Sequence, residues 1–153
     1  MKNFSPCHIG PVEIIPGLFL GSLDDALLMP SRGATTLVAL CSLDGSIWEP
    51  GFCGEIIYCP IEDYGILSDN TLNQIVDLIT SKLSGEVRIG IFCMGGHGRT
   101  GYVASVVLGR MGFLDPIGHL RAHYCKHAVE SNIQVRHIAS ILGLPKLMDK
   151  YLE

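Results

Sequence analysis

Three stretches of this chain, TTLVAL at 35–40, IIYCPI at 56–61 and VRIGIF at 87–92, are apolar or β-branched with no regular alternation. A strand with one wet face alternates, whereas a strand covered on both faces does not. Strands of the second kind belong to parallel sheets, whose crossovers lay helices over both faces. Two shorter runs, 12–15 and 18–20, flank Pro16-Gly17 and predict a hairpin or bent strand ahead of them.

Helical signals fill the remaining sequence. Ser22 offers an N-cap, with Asp24 and Asp25 in the first turn of a short helix over 23–29 that Pro30 ends. Leu72, Ile75, Val76, Ile79 and Leu83 make a helical stripe, with Asn70 as the expected cap and Gly85 as the stop. Residues 101–111 are nearly all apolar, which places that helix inside the fold. Asp115-Pro116 opens a helix to about Lys126, and another spans 132–142, closed by Gly143 and Pro145. With no repeat or linker, the whole of 1–153 reads as one α/β domain, a mostly parallel central sheet flanked by helices.

Composition narrows the partners. The chain has 153 residues, 48% hydrophobic and 17% charged, which suits one ordinary core and excludes a disordered chain. A net charge of -4 argues against nucleic-acid or anionic-membrane binding, since both need a broad excess of Lys and Arg. No apolar run approaches the roughly 18 residues of a membrane span, and Pro11, Glu13 and Pro16 interrupt any signal-peptide core. The expectation is a cytoplasmic monomer. Its six cysteines (7, 41, 53, 59, 93 and 125) form no C-x-x-C pair and are expected as reduced thiols.

The segment IFCMGGHGRTGYVAS at 91–105 carries two readings. Gly-His-Gly-Arg-Thr-Gly between a strand and a helix meets the local condition of a dinucleotide-binding turn. That site also needs a second strand ending in an acidic residue about 20 positions on, and the sequence after 115 is helix-like instead. A Walker loop fails for want of Gly-Lys-Ser/Thr. The second reading places Cys93 at the end of a buried strand and Arg99 at the start of a helix. Gly95, Gly96 and Gly98 between them leave the backbone N–H groups of 94–99 free to converge on one anion. The helix dipole and the planar Arg99 fork favour a phosphate there, and the same field favours ionisation of Cys93.

Cys-x5-Arg-Thr after a buried strand resembles the signature loop of the cysteine-based protein tyrosine phosphatases. PGLFLGSLDDA at 16–26, PIEDYG at 60–65, and AVES at 128–131 with Gln134 resemble its small dual-specificity branch. The resemblance implies a phosphatase that uses no cofactor or catalytic metal and acts on phosphorylated proteins, with phosphoinositides or RNA 5′-triphosphate as family alternatives. It implies Cys93 as nucleophile and Arg99 as phosphate clamp. Thr100 would hydrogen-bond the departing thiolate, and Met94, Gly95, Gly96, His97 and Gly98 would form the phosphate loop. Asp63, thirty residues upstream of Cys93, is the implied general acid; Glu62 and Asp69 compete with it. Cys41 matches a position where some relatives hold a redox partner for the nucleophile. Gln134 falls where some relatives orient water, and it equally suits a helix surface.

One departure is Phe92, where the family usually has a loop-orienting histidine; it keeps open a phosphate-binding protein without turnover. His97 suits either a substrate contact or solvent. His119, His123 and His127 recur every fourth residue with Cys125 nearby; lacking a carboxylate partner, they read as a solvated or packed face, not a metal site.

Overall fold

Strand β5 (Ile89–Cys93) lies at the centre of a five-stranded sheet and carries the candidate nucleophile at its carboxyl end. The computed structural model describes residues 7–43 and 54–153. β5 is flanked by β2 (Leu18–Ser22) and β3 (Thr36–Ala39), with β1 (Val12–Ile15) outside β2 and β4 (Glu55–Tyr58) outside β3. The β1–β2 hairpin is antiparallel and the other three pairings are parallel, as the unalternated runs require.

Helix α1 (Leu23–Ala26) follows β2 directly, set by a capping box in which the Ser22 hydroxyl accepts from Asp25 N–H and the Asp25 carboxylate accepts from Ser22 N–H. The chain then turns through a 3-10 segment at Pro30–Arg32, so the expected helix to Met29 stops three residues short. α2 (Asp69–Ser84) is capped by Ser68, not Asn70, because the Ser68 hydroxyl accepts from Thr71 N–H. α3 (Gly98–Arg110) is buried from Thr100 to Leu108, as its all-round apolar sequence predicts. α4 (Pro116–His123) and α5 (Asn132–Leu142) pack against it, and α6 (Lys146–Tyr151) packs against α5. Asp115 caps α4, which ends three residues before the expected Lys126. Gly143, at φ 65°, closes α5. α6 is an element the Pro145 stop signal hid: proline ended one helix and admitted the next.

Two expectations are corrected. The 56–61 run is not covered on both faces: β4 lies at the sheet edge among the described residues with Ile56 and Tyr58 exposed, because the helices pack chiefly over the more central β2 and β5. The cysteines are not all reduced. Cys7 and Cys125, 118 residues apart, are bridged with Cα atoms 5.1 Å apart, a pairing that chain return creates and local spacing cannot reveal. Cys41, Cys59 and Cys93 are free thiols; Cys53 lies outside the described residues.

Candidate active site

The phosphate loop begins where β5 ends. Parallel register sets Ser22 beside Cys93, so the β2–α1 turn and the loop meet, and Leu23 N–H donates to the Met94 carbonyl at 3.4 Å. The Cys93 side chain is buried, and its sulfur receives Gly96 N–H at 3.3 Å and the Thr100 hydroxyl at 3.1 Å. Gly96 has φ 78° and is hemmed in by Gly21, Ser22 and Tyr124; an added Cβ would come within 2.8 Å of each. The loop therefore needs glycine there for both conformation and space.

Phe92 is fully buried and offers no polar side-chain atom to the loop. The hydroxyl of Tyr124 instead donates to the Gly96 carbonyl at 2.5 Å, holding the loop from the far side. Burial holds the Tyr124 phenol protonated well above its ordinary range. Glu130 contributes from another direction: its carboxylate accepts Gly98 N–H at 2.8 Å, at the N-terminus of α3, where the helix dipole favours an anion.

Arg99 projects from the first turn of α3 with its side chain 12% exposed. One Nη donates to the Ile61 carbonyl at 3.1 Å, and Nε lies 3.8 Å from the Asp63 carboxylate, which is 62% exposed. A cavity of about 260 Å³ opens between Cys93, Arg99, Asp63, Tyr64, His97 and Glu130. Asp63 thus faces the cavity. Asp69 does not join it: its carboxylate binds His137 at 2.6 Å. Glu62 is exposed and its carbonyl closes a turn with Gly65 N–H. The strand ends at Tyr58, so strand alternation does not extend to 62 and 63.

The turn that presents Asp63 is held in place from two helices. Tyr64 sits at φ 62°, a left-handed conformation costly for a tyrosine, and its carbonyl accepts the Ser131 hydroxyl at 2.8 Å. Gln134, fully buried, donates its amide to the Gly65 carbonyl at 3.0 Å and accepts Glu130 N–H at 3.0 Å. It braces two loops from inside the fold, so the expected helix-surface glutamine is corrected. Leu67 N–H donates to the Tyr102 hydroxyl, which lies 2.6 Å from His137 Nδ1. Burial pushes the Tyr102 phenol up to about 12.

His97 is half-buried with Nδ1 3.1 Å from Cys125 Sγ, and burial lowers its pKa despite the nearby Glu130. Of the helical histidines, His119 and His123 pack with centroids 4.5 Å apart and rings tilted by 40°, while His127 lies past the end of α4 and packs edge-on against His97. They form no shared metal face. Cys41 is buried just beyond β3, where burial and the neighbouring Cys93 raise its thiol pKa. Tyr124, Glu130, Tyr102 and His137 are the neighbours that sequence reasoning missed; of these, Glu130 lies within AVES at 128–131 and Tyr102 within the 91–105 segment, but neither was given a role there.

Fold and site together define a phosphatase domain of the dual-specificity protein tyrosine phosphatase type. Residues 53–140, more than half of the chain, match the family model described as the Swiss Army Knife protein DSP-PTPase phosphatase domain, and the chain belongs to that family. Two uncharacterized proteins of Methanocaldococcus jannaschii, MJ0215 and MJECL20, are 41% identical over 90 residues and 40% identical over 86. The matches cover 59% and 56% of this chain and 57% and 58% of those relatives, so the chain spans less than two-thirds of their length. Among solved structures, a mutant form of Tk-PTP superimposes with a TM-score of 0.78 at 20% identity, covering 90% of this chain and 97% of that one. Human DUSP28 gives 0.70 at 20% identity over 96% and 98% of the respective chains. These structural likenesses establish the fold.

Proposed function

We propose that this chain hydrolyses phosphomonoesters on phosphorylated proteins through a phosphocysteine intermediate, with phosphotyrosine as the leading substrate and phosphoserine or phosphothreonine as further ones. The observation that carries the reading is the Cys93 sulfur held by Gly96 N–H and the Thr100 hydroxyl, at a cavity that Arg99 and Asp63 also line. The Cys93 thiolate attacks phosphorus while the P–O bond to the leaving group breaks and that oxygen takes a proton from Asp63. Arg99 keeps one Nη on the Ile61 carbonyl, which leaves its other donors for two phosphoryl oxygens. Loop amides other than those of Gly96 and Gly98, which serve the Cys93 sulfur and Glu130, donate to the remaining phosphoryl oxygen. Water deprotonated by Asp63 then cleaves the S–P bond, and Thr100 stabilises the departing sulfur.

Two carboxylates, Asp63 and Glu130, line the cavity against a single guanidinium. That balance supports monophosphate esters over phosphoinositides and RNA 5′-triphosphate, which carry more charge than one arginine offsets. Phe92 favours the alternative of a binding protein without turnover, but the Tyr124 bond to Gly96 supplies a loop support that does not depend on residue 92.

Release of p-nitrophenol from its phosphate ester in the presence of EDTA tests the reading. Wild type is expected to turn over, Cys93→Ser to lose all activity, and Asp63→Asn to fall by about 10²-fold or more. Phosphopeptide binding without turnover would establish the binding protein instead, and turnover by Cys93→Ser would end the thiolate mechanism.

A further inference from the structure

On the outer side of the phosphate loop, Cys7, His97 and Cys125 bring two sulfurs and an imidazole nitrogen within 4.8 Å of one another. Three distant parts of the chain contribute: the start of the described residues, the phosphate loop and the turn after α4. The two sulfurs are bonded to each other here. A plain disulfide, however, does not account for its surroundings. His97 directs Nδ1 at Cys125 Sγ from 3.1 Å, and His127 N–H points at the same sulfur from 3.4 Å. Bridged sulfur is a weak acceptor, whereas a metal-bound thiolate draws a backbone N–H such as that of His127 into its outer sphere, and His97 Nδ1, in the tautomer without a proton there, stands beside it as a ligand.

We propose that the reduced form of this cluster binds one Zn²⁺ through Cys7 Sγ, Cys125 Sγ and His97 Nδ1. Two thiolates and one imidazole are a tetrahedral donor set suited to zinc, with the fourth position left to water or to His127, whose ring centroid lies 5.9 Å from that of His97. Zinc–sulfur bonds of about 2.3 Å set the two sulfurs roughly 3.8 Å apart in a tetrahedral site. They must therefore separate on reduction, and neither lies in a strand or helix that would resist. A solvent-open cavity of about 360 Å³, lined by Cys7, His8, Asp24, Asp25, Gly95 and His97, provides the entry path.

The chemistry balances without the hydrolytic reaction. A dithiol reductant converts the disulfide to two thiols and is itself oxidised to a disulfide. Zinc then displaces two protons as both sulfurs bind. The ion stands outside the phosphate cavity and takes no part in hydrolysis. Its place is to tie the loop residue His97, two positions before Arg99, to the chain start and to the α4–α5 turn.

The test uses the full chain, reduced with a dithiol, desalted under argon and titrated with Co²⁺ and then Zn²⁺. One equivalent of Co²⁺ should give tetrahedral d–d bands with thiolate charge transfer, and Zn²⁺ should displace it. Cys93→Ser should bind unchanged. Cys7→Ser and Cys125→Ser should each weaken binding by more than about 100-fold, beyond what loss of outer-sphere support alone costs. His97→Ala should alter the Co²⁺ spectrum as one nitrogen ligand is lost, and the oxidised wild type should bind nothing. Circular dichroism checks that each variant folds, and Cys7→Ser changes a residue outside every helix and strand. Absence of stoichiometric metal in the reduced wild type would overturn the proposal. So would binding that Cys93→Ser abolishes and Cys7→Ser leaves intact.

Discussion

The Thr100 hydroxyl lies 3.1 Å from the Cys93 sulfur, both groups buried, with Thr100 in the first turn of α3 beside Arg99. A threonine in a first helical turn can serve as a cap, yet this hydroxyl is directed at sulfur. In the proposed mechanism its contribution is greatest when sulfur carries full negative charge, as phosphocysteine breaks down. A hydrogen bond to a charged group contributes about 1.5–3 kcal/mol. At about 1.4 kcal/mol per tenfold, Thr100→Val should slow the second step about 10- to 100-fold and leave phosphorylation of the enzyme less affected. Rapid mixing with p-nitrophenyl phosphate should then show a burst of product close to the enzyme concentration. Unchanged kcat with no burst would reduce Thr100 to a structural residue.

The Tyr102 hydroxyl joins the loop that carries Asp63 to the interior. It accepts Leu67 N–H at 3.2 Å and meets His137 Nδ1 at 2.6 Å, and His137 reaches Asp69 through Nε2. Tyr102→Phe keeps the ring and strands two partners. With about 2 kcal/mol for the groups left unpaired and about 2–4 °C per kcal/mol at this size, the melting temperature should fall by about 4–8 °C. Because the loop also carries Asp63, the proposed acid, kcat/KM should drop for phosphotyrosine peptide. An unshifted melting curve would show that this chain of hydrogen bonds holds nothing in place.

What the sequence displayed and what it hid divide along sequence distance. The strand, the glycines, Cys93, Arg99 and Thr100 lie within one short segment, so their local chemistry was legible directly. The supports come from afar: Tyr124 reaches Gly96 across 28 residues, Glu130 reaches Gly98 across 32, and His137 meets Tyr102 across 35. No periodicity encodes such pairings, because they arise where α4, α5 and their connecting turn pack beside α3. The 56–61 run misled for a related reason: hydrophobicity marks a strand, but its place at a sheet edge is set by the order of the other strands. The bridging of Cys7 and Cys125 is the extreme case, since their spacing carries no signal at all.

Cys41 follows β3 and Cys93 ends β5, two strands paired in parallel up to Ala39 and Phe92, with Leu40 N–H on the Phe92 carbonyl at 2.9 Å. Burial, with the adjacent Cys93, raises the Cys41 thiol pKa, which suits Cys41 to the resolving role in the proposed redox pair. In the proposed reaction, peroxide oxidises Cys93 to a sulfenic acid, and attack by the Cys41 sulfur expels water and closes a disulfide. Mild peroxide should therefore give a Cys41–Cys93 cross-link in peptide mapping and activity recoverable with dithiol. Cys41→Ser should instead over-oxidise Cys93 irreversibly. Equal recovery in both proteins would show that Cys41 offers no protection.

Asp115 links the start of α4 to the last helix. One carboxylate oxygen accepts Gly118 N–H at 3.0 Å as the N-cap, while Lys150 at 2.6 Å and Tyr151 at 2.7 and 2.8 Å approach from α6. Burial alone would raise this carboxyl, but hydrogen bonds from Lys150, Tyr151 and Gly118 outweigh it and hold it below its ordinary value. A depressed carboxyl stabilises the fold at every pH above the unfolded value of about 4, and that contribution fades as pH falls through the folded value. Asp115→Ala should lower stability at pH 7 by about 1 kcal/mol for the cap, with more for the lost α6 contacts. Below about pH 4 the protonated wild type has lost part of the same advantage, so the two melting curves should converge. Asp115→Asn should keep most of the cap and lose the contact with Lys150, placing it between wild type and Asp115→Ala at pH 7. A gap between wild type and Asp115→Ala that widens on acidification would mean the carboxylate is destabilised by burial more than its partners stabilise it, and the α4–α6 junction would need another explanation.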